Sequence, residues 1–225
     1  MTTDTMQGLG IRESAIRQVA PDVIFLQSYF VNLCLVGTGS GLARTWVLVD
    51  AGLANSADDI LSTAEEYFDS SKPEAVVLTH GHFDHVVGLG VLLSHWDVPV
   101  FAHAEEIPYL TGEKEYPPGD PTADPGIVAQ LSPLFPNRVI NIANRVQSLP
   151  TDGRIPFMPG WRWIATPGHT PGHISLFRES DRVLIAGDAF TTVRQESLAE
   201  VITQHQEVHG PPAYFTMDWH QAWDS

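Results

Sequence analysis

With 225 residues, 43% of them apolar and only 17% charged, the chain carries enough nonpolar surface for one sizeable core, which argues against a disordered chain. Its formal net charge is −15, and its 12 lysines and arginines are scattered rather than clustered. Such a surface repels phosphate backbones, so no nucleic-acid partner is expected.

The first fifty residues predict strands. Asp22 to Gln27, Tyr29 to Val36 and Thr45 to Val49 are rich in β-branched and aromatic residues, and Gly37, Gly39 and Gly41 punctuate the last two as a hairpin would. Cys34, the single cysteine, lies within the second apolar run and reads as a buried, inert thiol. A helix follows, with Ser56 and Asp59 spaced as a capping box and Ile60, Leu61, Ala64, Tyr67 and Phe68 at helical spacing.

After Pro73, Ala75 to Thr79 reads as a short strand buried inside a sheet. A helix over Val86 to Trp96 and a strand over Val98 to Ala102 come next, an order that implies layered sheets with helices outside. Glu113 to Gly126 contains four prolines and reads as a long surface loop, either a connector or a lid. Beyond it a helix is expected at Ile127 to Phe135, and strands at Arg162 to Ala165, Ile174 to Arg178 and Val183 to Ala186. Trp161 and Trp163 alternate around Arg162 and are expected to pack on one face. A helix over Glu196 to Val208 leads to the Gly210-Pro211-Pro212 break. A last helix begins near Thr216, read as its N-cap, with Trp219 and Trp223 on one stripe.

The start, MTTDTMQGLGI, has neither a basic nor an apolar signal region, and Val86 to Leu93 is too short to span a bilayer. A cytoplasmic protein with no membrane partner is expected.

Three segments carry chemistry. His80, His82, Asp84 and His85 stand within six residues directly after the apolar strand Ala75 to Thr79. His169 follows the strand at Arg162 to Ala165, and Asp188 follows the one at Val183 to Ala186. Imidazole and carboxylate donors at strand ends suit Zn, Fe or Mn. The His-x-His-x-Asp-His run, the later Pro-Gly-His turn and the final Gly-Asp resemble the metallo-β-lactamase superfamily.

That resemblance implies a single αββα sandwich of two facing mixed sheets with helices outside. It implies a first metal on His80, His82 and His169, a second on Asp84 and His85, and Asp188 bridging both. Asp50 corresponds to a carboxylate that supports the metal loops, and His173 to a structural residue. Two divalent cations about 3.5–4 Å apart, most often Zn(2+), activate water for attack on a polarised carbonyl. Asp84 is the candidate catalytic proton acceptor.

The family's pattern has one further histidine after an additional helix and strand. His205, His209 and His220 do not follow strands and read as surface residues, as do His95 and His103, so the final helix and strand are expected to be missing. The expected activity is metal-dependent hydrolysis of a small thioester, ester or lactone, as in glyoxalase II-like and lactonase-like members. The alternatives are a mononuclear iron persulfide dioxygenase-like oxidoreductase on His80, His169 and Asp188, and a metal-poor inactive form of the fold.

Overall fold

The computed structural model describes residues 14–39, 45–137, 141–203 and 205–225. The N-terminal segment tested for a signal and Gly41 of the hairpin lie outside them. The elements in chain order are β1 (Ser14–Ala20), β2 (Val23–Ser28), β3 (Val31–Gly37), β4 (Trp46–Val49), α1 (Ser56–Phe68), β5 (Ala75–Val77), α2 (Phe83–Val86), α3 (Leu89–His95) and β6 (Val100–Ala102). They continue with α4 (Ile107–Leu110), α5 (Ile127–Leu131), β7 (Val146–Ser148), β8 (Trp161–Ala165), β9 (Ile174–Arg178), β10 (Val183–Ile185), α6 (Leu198–Thr203) and α7 (Trp219–Asp224).

The strands form two sheets. The larger runs β1-β2-β3-β4-β5-β6-β7, antiparallel through β4 and parallel beyond it. The smaller, β10-β9-β8, is wholly antiparallel, so only one of the two expected mixed sheets is mixed.

Period-two alternation builds the layers. On β4, Trp46 and Leu48 point into a core shared with Ile60 and Ala64 of α1 and Leu89 and Leu92 of α3. Val47 and Val49 point the other way, into a core shared with Trp161, Ile174 and Leu176 of the small sheet. Leu35 and Cys34 divide between the same two cores on β3. Fully buried leucines such as Leu26, Leu35 and Leu48 each contribute about 1.5–3 kcal/mol of burial free energy. Trp161 and Trp163 face the same core, as their alternation predicts. On the small sheet Ile164 and Leu184 remain exposed.

Arg178 ties the sheets together. From β9 it forms a two-pronged pair with Asp22 in the β1–β2 turn, a second with Asp181, and stacks 4.7 Å over Trp161. These two carboxylates hold its guanidinium well above its ordinary pKa.

Several local expectations yield to tertiary contacts. Asn55, not Ser56, takes the N-cap place of α1: Ser56 is its first residue and its Oγ accepts from Leu53 N, while Asp59 Oδ2 accepts from Ser28 Oγ of β2. The helix expected over Val86 to Trp96 is broken around Val87 and Gly88, where Gly88 N donates to Gly52 O and Ala51 N donates to His85 O. Those bonds dock the turn after β4 against the His80–His85 loop. The expected Glu196–Val208 helix shortens to α6. Strands β1 and β7 are additional; their faces are largely exposed, which removes the apolar alternation that would announce them. Trp219 and Trp223 of α7 are 42% and 83% exposed rather than packed on a buried stripe. No helix among the described residues is long and apolar enough to cross a membrane.

Candidate metal centre

Three strand ends deliver the polar side chains to one point. The β5 strand leads through Leu78 and Thr79 to His80; β8 leads to the Thr166–His173 turn; β10 leads to Gly187 and Asp188. Ligand-type atoms of His80, His82 and His169 lie within 4.8 Å of one another, as do those of His80, His85 and Asp188. Asp84 stands beside the second group, with Oδ2 3.8 Å from His85 Nε2. Asp188 reaches both groups, with Oδ1 3.5 Å from His85 Nε2 and Oδ2 3.4 Å from His169 Nε2.

The hydrogen bonds fix which nitrogens are free. Thr79 Oγ1 donates to Asp50 Oδ2 at 2.7 Å, so its oxygen accepts the proton of His80 Nδ1 at 3.0 Å. His80 Nε2 is then a lone pair, buried and without a hydrogen-bond partner. Thr216 Oγ1 donates to Pro212 O at 2.8 Å and accepts from His169 Nδ1 at 3.2 Å, which leaves His169 Nε2 unprotonated. That nitrogen faces His82 Nδ1 at 2.9 Å, and two such atoms need a proton or a cation between them. His173 does not join either cluster: its Nε2 accepts from Asp188 N at 2.9 Å and its Nδ1 donates to Thr166. It holds the Asp188 backbone against the His169 turn.

Asp50 supports the other side. Its positive φ of 61° turns the chain after β4, a conformation that aspartate tolerates better than most side chains. Its carboxylate accepts from Thr79 N at 2.8 Å and from His85 Nδ1 at 2.9 Å, besides Thr79 Oγ1. The expected supporting role is therefore visible as three hydrogen bonds.

Burial dominates the electrostatics. It pushes His80 and His82 well below the ordinary imidazole pKa, with neighbouring histidines adding to the shift. It lowers His169 to about 3 and His173 to about 4, against the attraction of Asp188. Neutral imidazoles are the ligating form. Burial also opposes the charged form of His85, but Asp188, Asp50 and Asp84 outweigh it and raise its pKa. Burial raises Asp84 to about 6, opposed by His85. Asp188 moves the other way, below the ordinary carboxylate value: burial raises it, and the His85 cation and hydrogen bond overcome that. Cys34 is buried and pushed up to about 12, first by burial and then by Asp50, as an inert thiol should be.

The donor set fits a divalent ion: buried neutral nitrogens converge, one has no hydrogen-bond partner, and carboxylates stand beside them to balance charge. His80 has one free nitrogen, so it can serve only one ion.

Of the remaining histidines, His205 and His220 are exposed, and His209 sits in an isolated bridge opposite Thr191; none joins the described clusters. His103 lies with its ring 5.3 Å from that of Trp163. Thr216 is not the N-cap of α7. Asp218 takes that place, accepting from Gln221 N at 2.9 Å, while Thr216 lies over His169. The Glu113–Gly126 loop runs beside the cluster, where the Tyr116 ring packs 4.6 Å from that of His82. Phe215 (5.4 Å from His82), Phe83 and Phe135 continue an aromatic wall. Glu106, whose carboxylate touches two of the metal loops, carries no sequence signal beyond a local Glu-Glu pair.

Comparison with known proteins agrees with this geometry. Residues 35–225 match the model of the "Metallo-beta-lactamase superfamily". The chain is 54% identical over 226 residues to the "Probable metallo-hydrolase YflN" of Bacillus subtilis, covering 100% of this chain and 85% of that protein. It is 34% identical over 118 residues to a "Hydroxyacylglutathione hydrolase" of Erwinia tasmaniensis, covering 52% of this chain and 33% of that protein. Its fold is similar to that of the solved "Rm3 metallo-beta-lactamase", with a TM-score of 0.56 and 21% identity over 78% of this chain and 60% of that one. The strand-end cluster and these matches point the same way: the chain belongs to the metallo-beta-lactamase superfamily.

Proposed function

We propose that this chain is a metal-dependent hydrolase of small thioesters, esters or lactones. The observation that carries the reading is the buried, unpartnered His80 Nε2 at the meeting point of neutral imidazoles from separate strand ends. His80, His82 and His169 would hold one ion. Asp84, His85 and Asp188 would hold a second, with Asp188 shared, because its two oxygens face opposite groups. A bound divalent ion supplies Lewis acidity, polarising a carbonyl and lowering the pKa of water by several units towards about 7.

The chain's own residues supply the rest. Asp84 is the carboxylate assigned to take up the proton released on attack and to return it to the leaving group through Oδ2. The aromatic wall of Tyr116, Phe83, Phe135 and Phe215 gives an apolar acyl group a surface and keeps bulk water from one side of the site. The net charge of −15 supports a small substrate over a polyanion. The relative named as a hydroxyacylglutathione hydrolase supports the thioester class.

The test is metal analysis of the gently purified protein together with a panel of S-acyl thioesters, aryl esters and lactones. Zinc or manganese approaching two per chain, with turnover abolished by His80→Ala, is the expected result. One iron per chain and no acyl-transfer turnover would favour the oxidoreductase reading instead.

A further inference from the structure

Glu106 lies at the N-terminus of α4, wholly buried, and its carboxylate joins three segments. Oε2 accepts from Gly81 N at 2.8 Å, and Gly81 stands between His80 and His82. Oε1 accepts from Gly172 N at 2.8 Å, three residues beyond His169. The Tyr116 hydroxyl donates a short hydrogen bond to Oε2 from the Glu113–Gly126 loop. The Tyr116 ring in turn packs against His82 and stacks at 4.1 Å on Tyr109 of α4. A buried carboxylate is tolerated only with such a complement of donors.

Both glycines lie against Glu106 and the side chains around it. A Cβ on Gly81 would stand 3.2 Å from Glu106 Oε2 and closer still to Tyr116 Oη. A Cβ on Gly172 would stand 2.9 Å from Glu106 Cγ and 2.9 Å from His103 Nδ1. Each loop must therefore present bare backbone to Glu106. The glycine of His80-Gly81-His82 and that of Pro171-Gly172-His173 form two halves of one clamp.

We propose that Glu106 is a positioning residue for the metal centre. Its carboxylate sets the spacing between the His80–His82 loop and the His169 loop, and through Tyr116 it seats the Glu113–Gly126 loop against His82. It touches none of the proposed ligands and acts through the backbone on either side of them. The proposal rests on the metal-centre reading above.

Glu106→Gln keeps the size but offers one acceptor oxygen in place of two, so one of the two backbone amides loses its partner. The probe is Co(2+), with affinity measured by chelator competition and the visible ligand-field band recorded on the folded, purified chain. The expected result is affinity weakened about 10- to 100-fold, the scale of lost support behind metal ligands, together with a displaced band. Tyr116→Phe removes only the hydroxyl and is expected to weaken Co(2+) about three- to tenfold, the scale of one net hydrogen bond. If Glu106→Gln fails to fold, Tyr116→Phe decides by the same criteria. A lowered melting temperature with unchanged Co(2+) affinity and band would overturn the proposal, leaving Glu106 a purely structural residue. Absence of Co(2+) binding by the unmutated chain would instead overturn the metal-centre reading itself.

Discussion

Asp50→Ala isolates the support beneath the metal loops. The substitution deletes the acceptor for three buried donors: Thr79 N, Thr79 Oγ1 and His85 Nδ1. Each neutral donor left without a partner costs about 1–3 kcal/mol. The charged His85 loses one of three neighbouring carboxylates, and breaking a buried pair by removing one partner costs about 3–5 kcal/mol. These costs overlap, because the loop can relax and water can enter the space, so about 3–5 kcal/mol in total is expected. For a chain of this size that is a fall in melting temperature of about 6–20 °C, at 2–4 °C per kcal/mol. The assay is urea and thermal unfolding of the metal-free protein, followed by Zn(2+) affinity on whatever remains folded. Zinc affinity should fall with stability, since Thr79 orients His80 and Asp50 orients His85. Loss of less than about 1 kcal/mol, with unchanged zinc affinity, would refute this account of Asp50.

Thr216→Val keeps the shape but removes the hydroxyl that holds His169 Nδ1, so zinc affinity should fall about tenfold with little change in melting temperature; equal affinity would contradict the assignment. Leu48→Ala empties a fully buried site between β4 and the helices, and should cost about 2–5 kcal/mol in urea unfolding while leaving zinc stoichiometry unchanged. Asp181 is held below the ordinary carboxylate pKa chiefly by its hydrogen bond to Arg178. Its contribution is therefore present above the unfolded-state value of about 3.9 and lost as pH falls through the depressed folded value. The melting-temperature gap between the unmutated chain and Asp181→Asn should then close on acidification, and a gap that widens below pH 4 would contradict the sign. Trp223→Ser, at an 83% exposed position, should change stability by no more than about 0.5 kcal/mol.

The parts legible in the sequence were those written in local pattern. The apolar runs of β3, β4 and β5 alternate or stay continuous because their two faces meet two cores, and the six ligand-type residues stand at strand ends that the runs predict. What escaped was written in long-range contacts. Glu106 bonds backbone amides 25 and 66 residues away, and backbone amides leave no mark in a sequence. Thr216 before Asp218 fits a helix cap as well as it fits a partner for His169, 47 residues distant, and local reading takes the nearer option. Ser56 and Asp59 have capping-box spacing, yet Asp59 finds Ser28 of β2. The Asp50 role came only from the family resemblance, since by local pattern it is a turn residue, and nothing in the sequence said that Thr79 and His85 would be its partners.

The central claim is that the strand-end cluster binds a divalent metal through His80. Its most direct test is zinc retained after incubation and gel filtration, measured by elemental analysis on the unmutated chain and on His80→Ala in parallel. The account predicts zinc approaching two per chain on the unmutated protein and, on His80→Ala with its fold verified by circular dichroism, no more than about one, because His80 serves only the first ion. Equal zinc on both proteins, or none on either, would contradict it.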